Sequence, residues 1–187
     1  MLIHQAIFHI KKIISSEDCK KMISYMDKNC KTKAEVMSRS GKAETDTKTR
    51  DVLSHWLNPN DYGAPPYYTI VEDSIKKAMD KYVSHIKFLG RLHLNEINLL
   101  KYEIGNFYIK HVDQSTTLNR TISIIINLNE NYEGGEVVFY NPLTNKPYSK
   151  PSLKTGDIVL FPSNFLYPHQ VTPIKKGVRY SIVSWLS

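Results

Sequence analysis

The pattern of hydrophobic and polar positions along the chain changes near residue 93. Before this point, apolar side chains recur every three or four residues in two stretches, which predicts helices at about 16–29 and 68–88. After it, short runs rich in Ile, Val, Tyr and Phe are separated by Gly, Pro and Asn clusters, which predicts strands. We place strands near 94–103, 107–112, 120–128, 135–140, 147–149, 158–161, 168–173 and 178–186, and turns at 104–106, 133–135, 155–157 and 175–177.

This succession of two helices and a series of short strands indicates an α+β fold. The pattern suits a double-sheet β-sandwich of the jelly-roll type, also called a double-stranded β-helix. The helical N-terminal part, about 1–92, would pack on one outer face of the jelly-roll core, about 93–187. A chain of 187 residues is long enough to bury one such core, so we predict a single domain over 1–187.

The segment 31–66 between the two helices is polar and rich in turn-forming residues. We interpret it as loop, with one short helix possible at about 52–57. A loop of this length is often functional or mobile, so it is a candidate for a lid over an active site. Four of its side chains are candidates either for lining a substrate groove or for ordinary surface positions: Arg39, Arg50, Trp56 and Tyr62.

Composition limits the function only loosely. With 41% hydrophobic residues the chain is too apolar for a disordered protein. The net charge of +7 permits an acidic partner such as nucleic acid, but the lysines are spread along the chain and favour a solvated surface. The first ten residues do not resemble a signal peptide and no stretch suits a membrane span, so we expect a soluble, cytoplasmic protein. Cys19 and Cys30 are interpreted as reduced thiols without a metal role.

One group of residues has the composition of a metal site. His111 and Asp113 lie two positions apart at the end of a predicted strand, so both side chains project from the same face. His169 lies in a later predicted strand. Two His and one carboxylate can occupy one face of Fe(II) and leave three coordination positions open. A His-x-Asp triplet alone is common on surfaces, and a zinc hydrolase site is the alternative for the full set.

Arg179 strengthens the prediction of an active site. It alternates with Ser181, Val183 and Trp185 on one face of the last predicted strand. A guanidinium on a mostly apolar face needs an anion, and its fork of donors matches a carboxylate. The anion is either a dicarboxylate co-substrate or an acidic residue of the sandwich in an internal salt bridge.

At these residues the sequence resembles the 2-oxoglutarate-dependent oxygenases, in the prolyl 4-hydroxylase-like branch that includes bacterial and phage enzymes. The resemblance covers 99–185 and rests on three segments: KYEIGNFYIKHVD at 101–113, EGGEVVFYN at 133–141 and KTGDIVLFPSNFLYPHQVTPIKKGVRYSIVSW at 154–185. It implies Fe(II) bound by His111, Asp113 and His169, and 2-oxoglutarate anchored by Arg179. Many prolyl 4-hydroxylases carry Lys at the last position. It also implies the cytoplasm of a bacterium or of a phage-infected host cell.

Further roles follow only from this resemblance. Tyr102 and Tyr108 match phenols beside the 2-oxoglutarate pocket, with core packing as the alternative interpretation, and Ser181 is a second candidate ligand of the distal carboxylate. Arg120 and Trp185 match positions associated with the peptide substrate. Without the resemblance, we would interpret Arg120 as a surface residue and Trp185 as a core residue.

The function implied is hydroxylation of an unactivated C–H bond, in the first place of a prolyl residue in a peptide or protein, with O₂ as oxidant and ascorbate as reductant. Free amino acids or small metabolites are alternative substrates. Oxidative demethylation of nucleic acid is disfavoured, because such enzymes carry a second Arg six residues after the first, where this chain has Trp185. A metal-free jelly-roll binding module is a non-enzymatic alternative, opposed by the complete ligand set.

Overall fold

The structure is a computed structural model, and it describes residues 3–37, 41–86 and 89–187. A 3₁₀ turn at Ile3–Ala6 precedes two α-helices, α1 (Ser16–Asn29) and α2 (Pro65–His85). Neither helix is both long and apolar enough to cross a bilayer. The strands of the described residues are β1 (Phe8–Ile10), β2 (Thr32–Lys33), β3 (Val36–Met37), β4 (Ala43–Glu44), β5 (Arg50–Asp51), β6 (Leu53–Trp56), β7 (Leu94–Tyr102), β8 (Phe107–His111), β9 (Ile122–Asn127), β10 (Tyr132–Gly134), β11 (Val137–Tyr140), β12 (Pro147–Ser149), β13 (Ile158–Pro162), β14 (His169–Val171), β15 (Ile174–Gly177) and β16 (Arg179–Leu186).

Two antiparallel sheets form the sandwich. The larger, seven-stranded sheet has the order β1-β13-β9-β16-β7-β6-β2, and the smaller, five-stranded sheet has the order β12-β11-β14-β8-β5. Strands that are neighbours in a sheet are often distant along the chain, as expected for a jelly roll. The predicted β-sandwich of jelly-roll type is confirmed.

Strand β9 explains how the core is divided. All six of its residues are buried, and successive side chains of a strand point to opposite faces. Ile124 and Ile126 belong to the core cluster that contains both helices, whereas Ile125 packs with Phe139 in the cluster between the sheets. A strand covered on both faces reads as a continuous apolar run, which is why β9 is prominent in the sequence.

Helix α1 begins and ends where the sequence predicts. The Ser15 hydroxyl accepts a hydrogen bond from the Asp18 backbone N–H at 3.0 Å, the arrangement of an N-cap. Cys19 within this helix and Cys30 at its C-cap are free and buried. Burial raises the pKa of Cys19 to about 11 and that of Cys30 to about 12, so neither is a reactive thiolate at neutral pH.

Helix α2 extends over Pro65–His85 and therefore begins three residues before the predicted start at 68. Proline is suited to the first turn of a helix, because the N–H groups there have no partner within the helix. The two prolines that favoured a loop in the sequence are thus the start of the helix.

The predicted loop at 31–66 is partly wrong. It contains the short strands β2 to β6, and the helix expected at 52–57 is strand β6. Leu53 pairs with Lys101, and Trp56 pairs with Asn98 of β7. The hydrogen bonds offered by the edge of β7 outweigh a weak local helical pattern, since short segments take their structure from tertiary context.

Two predicted turns, at 133–135 and 175–177, are also strands in part. They form the antiparallel pair β10 and β15, in which Tyr132 lies opposite Gly177. Gly134 has φ of +80°, and a Cβ at this position would lie 2.1 Å from the Pro173 carbonyl oxygen. The glycine therefore permits the close approach of the two segments. Strand β1, which no sequence pattern predicted, pairs with β13.

Candidate active site

The side chains predicted to bind a metal converge at one end of the smaller sheet. His111 is the last residue of β8 and His169 the first residue of β14, and the two lie opposite each other in the ladder. Asp113 follows two residues after His111. One ligand atom from each of the three lies within 4.8 Å of the others, so all three can reach one ion.

Backbone carbonyl groups fix the orientation of both imidazoles. His111 Nδ1 donates to the Ile109 carbonyl at 2.8 Å, and His169 Nδ1 donates to the Tyr167 carbonyl at 3.1 Å. Because a carbonyl can only accept, each Nδ1 must carry a proton, and each neutral ring then has its lone pair on Nε2. These Nε2 atoms point to Asp113, at 3.4 Å for His111 and 3.6 Å for His169.

Asp113 brings a negative charge to the same place. Burial by itself raises its pKa, but His169, His111 and the Ser123 hydroxyl outweigh that effect, so the pKa lies below its ordinary value. The Ser123 hydroxyl donates to Asp113 Oδ2 at 2.6 Å. Burial also lowers the pKa of His169 to about 4, with a further contribution from His111. A carboxylate and two neutral imidazole lone pairs aimed at one point repel each other unless a cation lies between them, and this donor set fits Fe(II).

Aromatic rings surround the triad. The Tyr108 ring stacks on His111 with 3.5 Å between ring centroids, and Phe161 lies edge-on to His169 at 4.8 Å. Tyr102 is buried close by and, with Tyr108 and Trp185, lines a small inner pocket beside the triad. This pocket has a volume of about 30 Å³, which is room for little more than a water molecule.

Arg179 is buried next to this pocket without lining it. Its Cζ lies 5.2 Å from the centre of the Tyr102 ring, and the side chain borders a separate cavity of about 240 Å³ together with Tyr132 and Gly135. The Nε and Nη2 atoms of Arg179 and the Ser181 hydroxyl have no hydrogen-bond partner among the described residues. No carboxylate of the described chain pairs with Arg179, so the internal salt bridge considered above is absent there. Unpaired buried donors of this kind fit an anionic ligand.

A larger cleft of about 560 Å³ opens above the triad. Arg120 and Trp185, the predicted substrate residues, both line it. The Arg120 guanidinium lies 3.5 Å from the centre of the Trp185 ring and forms an ion pair with Glu96. Arg120 is therefore held in place on the floor of the cleft, and Trp185 is almost fully buried beneath it.

Described residues of the segment 31–66 form one wall of this cleft, and several of them lie in short strands; its role as a lid stays a prediction. Trp56 is 47% exposed and faces the cleft. Tyr62 is fully exposed and lines none of the cavities described above, and Arg39 lies outside the described residues. Arg50 is only 6% exposed and borders both the cleft and the inner pocket. Its position next to the triad depends on the pairing of β5 with β8, which the sequence did not reveal.

Comparison with known proteins agrees with this geometry. Residues 97–187 match the model of the 2OG-Fe(II) oxygenase superfamily. This match covers slightly less than half of the chain and, together with the relatives and solved structures below, supports a 2OG-Fe(II) oxygenase of the prolyl 4-hydroxylase-like branch. The superfamily uses Fe(II), 2-oxoglutarate and O₂, which fits the triad of this chain, and the predicted family resemblance is confirmed.

Named relatives of this superfamily include hydroxylases. A PKHD-type hydroxylase of Aliarcobacter butzleri is 30% identical over 65% of this chain and 56% of its own length. A probable prolyl 4-hydroxylase 3 of Arabidopsis thaliana is 26% identical over 96% of this chain and 68% of its own length. The chain spans about half of the length of the PKHD-type relatives, from 43% to 56% for the two extremes.

Among solved structures, the fold is similar to that of a prolyl hydroxylase from Trichoplax adhaerens, in complex with a peptide of the hypoxia inducible factor oxygen degradation domain. The TM-score is 0.74 at 18% identity, over 97% of this chain and 83% of the other. At this identity the likeness establishes the shared jelly-roll fold alone.

Proposed function

We propose that this protein is an Fe(II)- and 2-oxoglutarate-dependent dioxygenase that hydroxylates an unactivated C–H bond, in the first place that of a prolyl residue in a peptide or protein. The observation that carries the proposal is the convergence of His111, Asp113 and His169 within 4.8 Å, beside a buried and unpaired Arg179. The triad aims a buried carboxylate and two imidazole Nε2 atoms at one point, and the buried Arg179 has donors without a partner among the described residues, so both features fit ligands that the protein would bind.

In this proposal, Nε2 of both imidazoles and the Asp113 carboxylate hold the iron. The carbonyls of Ile109 and Tyr167 keep the imidazoles in the binding tautomer, and the Ser123 hydroxyl holds the carboxylate. When bound, the ferrous iron and 2-oxoglutarate supply the oxidising chemistry, in which O₂ converts the co-substrate to succinate and CO₂ and hydroxylates the substrate. Ascorbate is the proposed reductant that keeps the iron ferrous.

Arg179 and Ser181 would bind the distal carboxylate of 2-oxoglutarate, and the rings of Tyr102 and Tyr108 would form the walls of its site. The inner pocket of about 30 Å³ is too small for this co-substrate, so binding requires side chains to move. Tyr102 is the first candidate, since it lines the pocket and also contacts the Arg179 guanidinium. The aromatic walls then exclude water from the reacting groups.

The proposed substrate is a chain segment lying in the cleft above the triad, on Arg120 and Trp185. The volume of about 560 Å³ suits a few residues of a peptide, and hydroxylases of prolyl residues are among the named relatives. Nucleic acid suits the cleft less well than peptide does. The cleft is lined by the carboxylates of Glu35, Glu44, Asp46 and Glu96, which repel phosphate groups.

The direct test is incubation of the protein with Fe(II), ascorbate and 2-oxoglutarate, together with proline-containing peptides, oligonucleotides or free amino acids. We expect succinate and a mass gain of one oxygen atom in the proline-containing peptides. The Asp113→Ala variant in parallel measures the background. Substrate-independent failure to form succinate would refute the enzyme class, whereas a mass gain confined to oligonucleotides or amino acids would refute the peptide substrate.

A further inference from the structure

The charge of the cleft is opposite to the charge of the whole chain. The chain has a net charge of +7, which would draw polyanions to its surface. Yet the described residues that line the cleft above Asp113 include four carboxylates and only two cations, Arg50 and Arg120. A polyanion attracted by the positive net charge of the chain would therefore meet negative charge in the cleft.

Ion pairing does not remove this difference. Arg120 is neutralised by Glu96 in the ion pair on the cleft floor. In the described part of the chain, Glu35, Glu44 and Asp46 take part in no ion pair, and Glu35 and Glu44 are exposed. These three carboxylates belong to a wall of the cleft that includes residues 35–37 and 43–46. The wall therefore offers negative charge to whatever occupies the cleft.

An exposed aromatic ring lies in the same cleft. Trp56, one of the two tryptophans of the chain, is 47% exposed, whereas Ser54 and Leu57 of the same segment are buried. A tryptophan face is the preferred aromatic partner of an ammonium or guanidinium group. A cleft that combines an open indole ring with carboxylates fits the side chain of Lys or Arg.

Arg50 lies where the cleft meets the inner pocket, so it is placed to contact the part of a bound ligand nearest to the triad. Its Nη1 donates to the Glu35 carbonyl at 3.1 Å, and its Cζ lies 4.9 Å from the centre of the Tyr108 ring. The Nε atom is buried without a partner, and the side chain forms no ion pair among the described residues while bordering both cleft and inner pocket. A buried donor without a partner needs an acceptor, and since Arg50 borders the cleft, the backbone carbonyl of a bound peptide is one group that can supply it.

We infer that the cleft binds a cationic peptide segment, in which a Lys or Arg close to the hydroxylated residue lies against Trp56 and the carboxylates of Glu35, Glu44 and Asp46. Arg50 donates to a backbone carbonyl of that segment near the triad. This inference rests on the proposed function and names the substrate class for the same site. It gives the cleft a preference based on charge, which complementary potentials across an interface provide.

The test uses three synthetic peptides of equal length with a central proline flanked by Lys, Ala or Glu. Binding to the metal-free protein is measured by calorimetry, and succinate formation is measured separately with iron and 2-oxoglutarate. We expect the Lys peptide to bind about tenfold more tightly than the Ala peptide, and the Glu peptide to bind more weakly than either. The differences should shrink as salt is raised, since salt screens exposed charges.

Glu44→Lys is the variant that tests the wall, and Glu133→Lys is its matched control. Both residues lie in short strands, but Glu133 is exposed outside the cleft and pairs with Lys176. Glu44→Lys should abolish the preference for the Lys peptide, and Glu133→Lys should keep it. Equal binding of all three peptides, binding of none of them, or the same loss in both variants would overturn the inference. Binding of the Lys peptide without any succinate would support it and refute the proposed function instead.

Discussion

His111 and His169 lie on paired strands of the five-stranded sheet, whereas Glu44 and Trp56 line the cleft from short strands of the segment 31–66. The first pair is held by hydrogen bonds to the carbonyls of Ile109 and Tyr167, and aromatic rings pack against both imidazoles. The second pair is exposed, and its strands are two and four residues long. We call the region of His111 and His169 the rigid end, and it contains the residues for the chemistry. We call the region of Glu44 and Trp56 the weakly held wall, and it contains the residues that would determine substrate specificity.

The largest effect should come from removing a ligand at the rigid end. Asp113→Ala removes the only carboxylate of the three proposed iron ligands, so succinate formation should fall to background. Asp80→Ala, on the exposed side of α2, should leave it unchanged. Succinate is measured by chromatography, and circular dichroism verifies the fold. Full turnover by His169→Ala would remove the basis of the site assignment.

The next effect concerns the co-substrate. Arg179→Met keeps most of the side-chain volume and removes the charge, so the 2-oxoglutarate concentration for half-maximal rate should rise at least about 30-fold, because losing one member of a buried charge pair costs about 2 kcal/mol or more. Arg179→Lys should retain part of the affinity.

The same Arg179→Met variant should be more stable than the parent protein when metal and co-substrate are both absent. The buried guanidinium then has no anion among the described residues, and an apolar side chain of similar volume avoids the desolvation cost of that charge, a change that stabilises by about 1–4 kcal/mol in cases where buried ion pairs were replaced. Thermal unfolding measures this. An unchanged requirement for 2-oxoglutarate, or a less stable ligand-free variant, would contradict the role of Arg179.

A smaller effect is expected for Ser123, which touches the triad only through Asp113. Ser123→Ala removes the hydrogen bond at 2.6 Å that holds the carboxylate, so iron affinity should fall about 10- to 100-fold. Ser152→Ala, at an exposed position outside the cleft, is the control. Iron binding is followed by anaerobic titration, and equal affinity in both variants would show that the hydroxyl is not needed.

The smallest effect should come from the weakly held wall. Trp56→Ala should leave iron binding intact and weaken the Lys-flanked peptide by about two- to fivefold, the contribution of an exposed cation–π contact of about 0.5–1 kcal/mol. Tyr62→Ala, which removes a fully exposed ring outside the cleft, should change neither. A loss of iron affinity in Trp56→Ala would mean that the two regions are not independent.

The features of the rigid end could be predicted from the sequence, whereas most features of the weakly held wall could not. Strands β7, β9 and β16 are long and mostly buried, so their apolar runs were visible. The triad was predicted from the His-x-Asp spacing at 111–113, from a second His at 169 and from the family resemblance, and Arg179 was predicted because a charge interrupts an apolar strand face. These signals are local and repeat at known intervals.

Other features depend on pairing between distant segments and left no local signal. Strand β5 has two residues, and only its register with β8 brings Arg50 beside the triad. Strand β6 forms on the edge of β7, and β10 with β15 forms where the sequence showed only turn residues. The acidic character of the cleft arises in the same way, because Glu35, Glu44 and Glu96 come from different parts of the chain.

Each ligand imidazole is anchored to a carbonyl two residues earlier in the same chain segment, at Ile109 and at Tyr167. The orientation of the two rings is therefore set by their own backbone, which the segment between the helices supports at β5, where the Thr49 carbonyl accepts a hydrogen bond from the Ile109 N–H at 3.0 Å, and not at the acidic wall. Such an arrangement allows insertion, deletion or recombination to change the acidic wall around Glu44 while the geometry of the triad is preserved. Selection for a new substrate can then act on the part of the gene that encodes this wall. A chimera that exchanges only the wall for that of another enzyme should acquire the substrate preference of that enzyme.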